Sequence, residues 1–196
     1  HSMSDEQNIK KMGGLYNKIP LTYITMVIGS LSLIGLPFLS GFYSKDLIIE
    51  FIYLSQNDLK MYAFFVALIS VAFTTIYSIR MMIYVFHRDN NSDEKVFAHI
   101  HESPMIMILP LTILSVFAIF FGMVLHDYFA GKYLVNLWDD FMHINKQSNN
   151  DYLIGSVPLI VKKSPMIAIF LGCIFCILIY FLLNSFIDNL KKRLIF

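Results

Sequence analysis

One stretch limits what this chain can fold into more than any other: residues 21–53, LTYITMVIGSLSLIGLPFLSGFYSKDLIIEFIY. Read as a single helix it would be about 50 Å long at about 1.5 Å per residue. The hydrocarbon core of a bilayer is only about 30 Å thick. The run is punctuated by Gly35, Pro37 and Gly41, and then carries Lys45 beside Asp46. The pattern predicts a broken, tilted membrane span that holds a lysine away from the membrane surface.

Composition agrees with a membrane setting. Of 196 residues, 57% are hydrophobic and 15% charged, and the mean hydropathy is +0.62. Four long apolar segments in a chain of this size would leave a soluble domain with extensive sticky surface. The expected fold is an all-α polytopic membrane protein with four transmembrane helices, the first discontinuous, forming part of a larger helix bundle. A net charge of +1 gives no electrostatic reason to expect nucleic acid as a partner. Cys173 and Cys176 lie within an apolar run without accompanying ligands and read as small hydrophobic fillers. The chain opens at His1 with neither an initiator methionine nor a signal-peptide pattern, so the expectation is a piece of a longer or divided polypeptide.

In chain order, residues 1–20 form a polar, turn-rich segment with a short amphipathic piece ending at Gly13-Gly14. The broken span occupies 21–54, a polar turn follows at Ser55 to Lys60, and a second span covers 61–86. Residues 87–103 are a charged loop. A third span, 104–125, starts at Pro104, a residue suited to a first helical turn, and contains Pro110, expected to bend it. Residues 126–163 are a polar connection with an amphipathic helix expected around Tyr128 to Met142. A fourth span covers 164–186, and 187–196 reads as the start of a further element.

Four spans put both ends on one side. That side carries Lys10, Lys11, Lys18, Arg88, Lys95, Lys191, Lys192 and Arg193; the other carries Lys60, Lys132, Lys146, Lys162 and Lys163. The excess of basic residues places both ends in the cytoplasm or mitochondrial matrix.

The chemical question is why a lysine follows a helix break. Backbone groups freed within hydrocarbon are tolerated only where protein or a wet cavity satisfies them, and discontinuous helices recur at transporter midplane sites. A buried lysine whose charge state can change is suited to carry protons, with Ser, Thr and Tyr hydroxyls and water as links. Asp46 does not share a helix face with Lys45, so it is expected to pair with a neighbouring helix and tune the local field. Ser70, Thr74, Tyr77 and Met81 form one stripe of the second span, expected to pack against protein. Ser44, Thr74, Tyr77 and Arg80 are the candidate supporting residues. The alternative stays open that the first span ends near Phe42 and Lys45 snorkels from an interface. Arg80, near its span's end, is equally suited to snorkelling or to pairing with a loop acid. His87, His99 and His101 read as loop residues, and Asp139 and Asp140 beside Trp138 as an interface-anchored surface.

The segments HSMSDEQNIKKMGGL, IGSLSLIGLPFLSGFYSKDLIIE and HESPMIMILPLTILSVFAIFFG resemble the C-terminal part of the largest antiporter-like subunit family of respiratory complex I, the proton-translocating NADH:quinone oxidoreductase. The resemblance implies that the first span is the discontinuous helix of the second inverted repeat. It also implies that Lys45 belongs to a proton half-channel, with Asp46 beside it, and that Arg80 matches an arginine near the next helix's end. The helices holding the family's other channel residues are absent from this sequence. The implied partners are therefore the polypeptide carrying the missing N-terminal helices, the neighbouring antiporter-like subunit, other membrane-arm subunits and membrane lipids. No cofactor is expected on this chain; NADH, FMN, iron–sulfur clusters and ubiquinone would act elsewhere in the complex. The implied location is the mitochondrial inner membrane, or the cytoplasmic membrane of a bacterium. Two other readings remain: a subunit of a multi-subunit cation/proton antiporter, which shares this ancestry, and a structural membrane scaffold.

Overall fold

Proline at the first helical position is free of the N–H it lacks, and helix α1, Pro20–Ile34, begins that way. The computed structural model describes residues 3, 6–92, 94–129 and 157–194, and of residues 181–194 it describes the backbone. α1 ends at Gly35, whose φ of 92° is left-handed. Pro37 then disfavours helix at Leu36, and Phe38 also adopts a positive φ, 76°. Helix α2, Ser40–Leu54, follows the break.

Helix α3, Lys60–Met82, runs directly into a π-helical turn, Ile83–His87. A short helix α4, Glu94–Ala98, interrupts the polar loop that follows. Helix α5 spans Met105–Phe129, with Pro110 in its second turn. Helix α6 spans Leu159–Leu194. Residues 60–87, 105–126 and 159–180 are long and apolar enough to cross a membrane. The described chain is thus an all-helical polytopic membrane bundle, joined to a pair of shorter helices separated by a break.

Two boundaries differ from the sequence reading, and both have a local cause. The helix expected over 164–186 starts earlier because Pro165 is not its first turn. Proline at that position cannot donate to the carbonyl four residues back, Val161; the Ser164 hydroxyl donates to it instead, at 2.7 Å. The basic stretch expected to open a further element continues the same helix to Leu194. In residues 1–20 the amphipathic piece resolves into two 3-10 turns, Ile9–Lys11 and Leu15–Asn17. The amphipathic helix expected to Met142, with Trp138, Asp139 and Asp140, lies outside the described residues apart from its first two, Tyr128 and Phe129, which end α5.

Close approach between helices is set by glycine. A Cβ on Gly172 of α6 would sit 2.9 Å from the Ala72 carbonyl oxygen and 3.0 Å from Thr75 Cβ, so α6 lies directly on α3. A Cβ on Gly122 of α5 would collide with Ser40 at the start of α2. One core cluster gathers Ile34, Ile49, Phe64, Val71, Val161 and Ile169 from α1, α2, α3 and α6. A second, at the opposite end of α1, gathers Leu15, Ile19, Phe86 and Ile100.

The packing of α6 selects one face of α3. The inward stripe of α3 is Phe64, Val71, Thr75 and Ser78, all buried, while Ser70 and Tyr77 are exposed and Thr74 is half-buried. The stripe read from sequence thus lies beside the packed face, because Gly172 seats α6 on Ala72 and Thr75.

Candidate functional site

The last four carbonyls of a helix have no partner within it, and at α1 every one can be accounted for. Gly35 N–H donates to Leu31 and Ser32 O, each at 3.1 Å, and Leu36 N–H donates to Leu31 O at 3.1 Å. This is the Schellman arrangement, which requires the left-handed residue that Gly35 supplies. It leaves the carbonyls of Leu33 and Ile34. Lys45 Nζ donates to both, at 2.5 Å and 3.2 Å. The lysine that follows the break is therefore bound to the helix that precedes it.

Charge and geometry agree. The C-terminal end of a helix carries about half a negative charge, which favours a cation. An ammonium has three N–H donors, and two are used here. A neutral amine still has two, so both carbonyl bonds survive loss of a proton, in weaker form. The site can hold either protonation state without reopening the helix end.

The break itself is tightly built. Ser32 Oγ accepts from Gly41 N–H at 3.3 Å and lies 3.3 Å from Ser40 Oγ. A Cβ on Gly41 would overlap the backbone of Ser32, and one on Gly35 would lie 3.2 Å from Lys45 Cδ. Gly35 and Gly41 are thus required by a turn and a close approach respectively. Ser32 and Ser40 complete the site and escaped the sequence reading, since nothing in their spacing reveals that the chain folds back between them.

Asp46, the next residue of α2, points away from Lys45 by about 100°, the rotation per residue of a helix. Its Oδ1 is buried with no hydrogen-bond partner among the described residues. Ser44 is exposed and donates to the Gly41 carbonyl at 3.2 Å. Thr74 donates to Ser70 O at 2.7 Å. The Arg80 guanidinium lies over the Tyr84 ring, 5.5 Å from its centroid, and Arg88 approaches the same ring at 5.1 Å. Thr74, Tyr77 and Arg80 are not brought to Lys45 by this chain; they share the outer side of α3.

Between α2 and α5 lies a cavity of about 470 Å3 with Ser40, Tyr43, Ser44 and His126 among its lining residues. The Tyr43 and His126 rings are 5.2 Å apart. Among the described residues, no group of three or more His, Cys, Asp or Glu side chains is placed to hold a metal ion. The arrangement brings together an amine, a helix end that it caps and the hydroxyls of Ser32 and Ser40.

The profile of the family described as "NADH:quinone oxidoreductase/Mrp antiporter, TM" matches residues 1–74, the part that contains the break and Lys45. The chain is 38% identical over 191 residues to NADH-ubiquinone oxidoreductase chain 5 of Phytophthora infestans, covering 97% of this chain and 29% of that protein. It is 40% identical over 199 residues to the chain 5 of Rhizopus stolonifer, with 98% and 30% covered. For the chain 5 of Marchantia polymorpha the identity is 39% over 194 residues, with 97% and 29% covered. The chain spans less than a third of the length of these curated relatives.

Proposed function

We propose that this chain, which belongs to the NADH:quinone oxidoreductase/Mrp antiporter membrane family, relays protons through Lys45 as part of the membrane arm of an NADH:ubiquinone oxidoreductase. In this reading α1 and α2 together make one discontinuous crossing, which with α3, α5 and α6 gives four spans. The observation that carries it is the pair of hydrogen bonds from Lys45 Nζ to the Leu33 and Ile34 carbonyls across the break. They hold a chargeable amine at an interrupted helix in a geometry that tolerates both of its protonation states.

Asp46 tunes the local field. Its unpartnered oxygen is met by water or by a helix of the polypeptide that completes the channel, since a buried carboxylate oxygen is costly without a partner. Ser44, Thr74, Tyr77 and Arg80 support the path where this chain meets those helices. The partners are that polypeptide, the neighbouring antiporter-like subunit, the other membrane-arm subunits and membrane lipids. NADH oxidation at FMN, electron transfer through iron–sulfur clusters and ubiquinone reduction take place on other subunits and reach this chain as a conformational or electrostatic signal. The location is the mitochondrial inner membrane, with both ends of the chain on the matrix side.

Lys45→Ala tests the reading in the assembled complex. Protons moved per NADH oxidised should fall while the complex still assembles; an unchanged ratio with assembly intact rules the relay out. The matched family also includes cation/proton antiporters, and this favours one second reading, a subunit of such an antiporter. Copurification with NADH:quinone activity separates the two, whereas proton movement alone does not.

A further inference from the structure

The turn that joins α1 to α2 holds a residue of the wrong kind for its place. Leu39 N–H donates to Leu36 O at 3.2 Å, closing a four-residue turn with Pro37 second and Phe38 third. Phe38 has a φ of 76°, the one positive φ outside glycine among the described residues. Proline followed by a positive φ is the pattern of a type II turn, whose third position calls for glycine or asparagine. A bulky side chain there is strained.

Nothing within the chain offsets that strain. The Phe38 side chain is 79% exposed and belongs to neither core cluster. Its backbone is also unpartnered: the N–H groups of Gly35, Leu36, Leu39 and Phe42 close the break, and Phe38 joins none of these bonds. Lipid answers neither need. Helix α1 is 15 residues long, about 22 Å at about 1.5 Å per residue, so the turn lies within a hydrocarbon core of about 30 Å. Irregular backbone at that depth requires protein or a wet cavity against it. A phenyl ring in lipid is as well served by an unstrained helix, and local strain persists where surrounding structure fixes it. The chain spans less than a third of the length of its curated relatives, which leaves most of such a bundle to helices outside these residues.

We infer that Phe38 is the anchor by which the turn docks on the polypeptide that completes the bundle. Its ring fills an apolar pocket between helices of that polypeptide. A hydroxyl or carboxamide side chain beside the pocket meets the Phe38 N–H and carbonyl, since either group both donates and accepts. Buried aromatic anchors carry a large share of an interface's energy. The docked ring holds the turn, and with it the Leu33 and Ile34 carbonyls that Lys45 caps. The inference rests on the reading of this chain as one part of a membrane-arm bundle and names the contact that joins the parts.

The test exploits a difference of sign. Phe38→Gly relieves the turn but removes the ring, whereas Phe38→Leu keeps apolar bulk. The temperature at which this chain separates from the rest of the assembled membrane arm, read on native gels, should fall for Phe38→Gly and fall less for Phe38→Leu. An unchanged or higher temperature for Phe38→Gly overturns the anchor, because then only strain was lost. A density map of the wild-type complex decides the matter independently of any variant that fails to assemble. Apolar side chains of the completing polypeptide are expected within about 4.5 Å of the ring, and a ring that faces lipid overturns the inference. Neither readout involves the protons moved per NADH oxidised, by which Lys45→Ala tests the relay, so either claim can fail while the other stands.

Discussion

Glu102 closes the start of the helix that Lys45 closes at its end: its Oε1 accepts from Thr22 N–H at 3.1 Å and from Thr22 Oγ1 at 2.5 Å. Oε2 accepts from Leu21 N–H at 3.1 Å. A carboxylate suits the positive end of a helix as an ammonium suits the negative end. Both termini of α1 are therefore capped by side chains from elsewhere in the chain, Glu102 from the loop before α5 and Lys45 from α2. That double attachment ties the break to the loop side of the bundle.

Removing the first attachment should be felt locally. Glu102→Ala is expected to cost about 1–2 kcal/mol, the usual scale for losing an N-terminal cap, and Glu102→Gln less, because an acceptor remains. Hydrogen exchange at the Leu21 and Thr22 amides in the assembled complex reads this directly. Protection at those amides that is unchanged in Glu102→Ala contradicts the capping role.

The glycines of the break should behave in opposite ways to a glycine nearby. Gly41→Ala forces α1 and α2 apart, since its Cβ would overlap the Ser32 carbonyl, a backbone group that cannot swing aside. Overpacking of this kind costs about 1–3 kcal/mol, and here it also draws Lys45 away from the carbonyls it caps. Gly29 of α1 faces open space in this chain, so Gly29→Ala should leave the Lys45 contact untouched. The expected pair of results is reduced complex yield and reduced proton movement for Gly41→Ala, and neither for Gly29→Ala. Wild-type behaviour of Gly41→Ala would show that the two helices have room to separate without consequence.

The break, the long apolar helices and the position of Lys45 were all legible in the residues, because Gly, Pro and apolar length act locally. What Lys45 touches was not. Its partners are backbone carbonyls, which every residue has, so no pattern of side chains announces them. The ring that Arg80 lies over, Tyr84, was not legible for a similar reason: the side chain reads as snorkelling or as pairing with a loop acid, and an aromatic one turn further along announces neither. Polar residues occur on two adjacent stripes of α3, and Gly172 on a distant helix decides which of them α6 covers. Glu102, 80 positions from Thr22, shows the same limit: a cap supplied across the fold leaves no trace in spacing.

The loop-side segment carries a pH dependence of predictable sign. Glu6 accepts from Asn8 N–H at 3.0 Å and from Lys11 Nζ at 3.2 Å. The Asn8 N–H first, and the Lys11 ammonium second, hold its carboxyl below the ordinary value of 4.5. A depressed carboxyl stabilises the folded segment above that ordinary value, and the contribution is lost as pH falls through the lowered one. Exchange protection over residues 6–12, corrected for the intrinsic rate, should therefore drop on acidification below about 4.5, and Glu6→Gln should flatten the drop. An identical pH profile in the variant would assign the change to another group.

Ser164 and Pro165 offer the sharpest test of local reasoning in this fold. Pro165 lies inside α6 and cannot donate to Val161 O, a carbonyl on a residue only 8% exposed. The Ser164 hydroxyl takes over that bond at 2.7 Å. Ser164→Ala should then leave the carbonyl unpaired and cost about 1 kcal/mol. In a Pro165→Ala background the backbone N–H returns at position 165, and the same Ser164→Ala change should cost close to nothing. The two effects are coupled, so the cycle of single and double variants isolates the substitution of hydroxyl for amide. Exchange protection of the amides from Val161 to Met166 in the four variants gives the comparison. Equal costs for Ser164→Ala in the two backgrounds would mean that the hydroxyl bond does not compensate the proline, and that the early start of α6 at Leu159 is held by the burial of Val161 in the core.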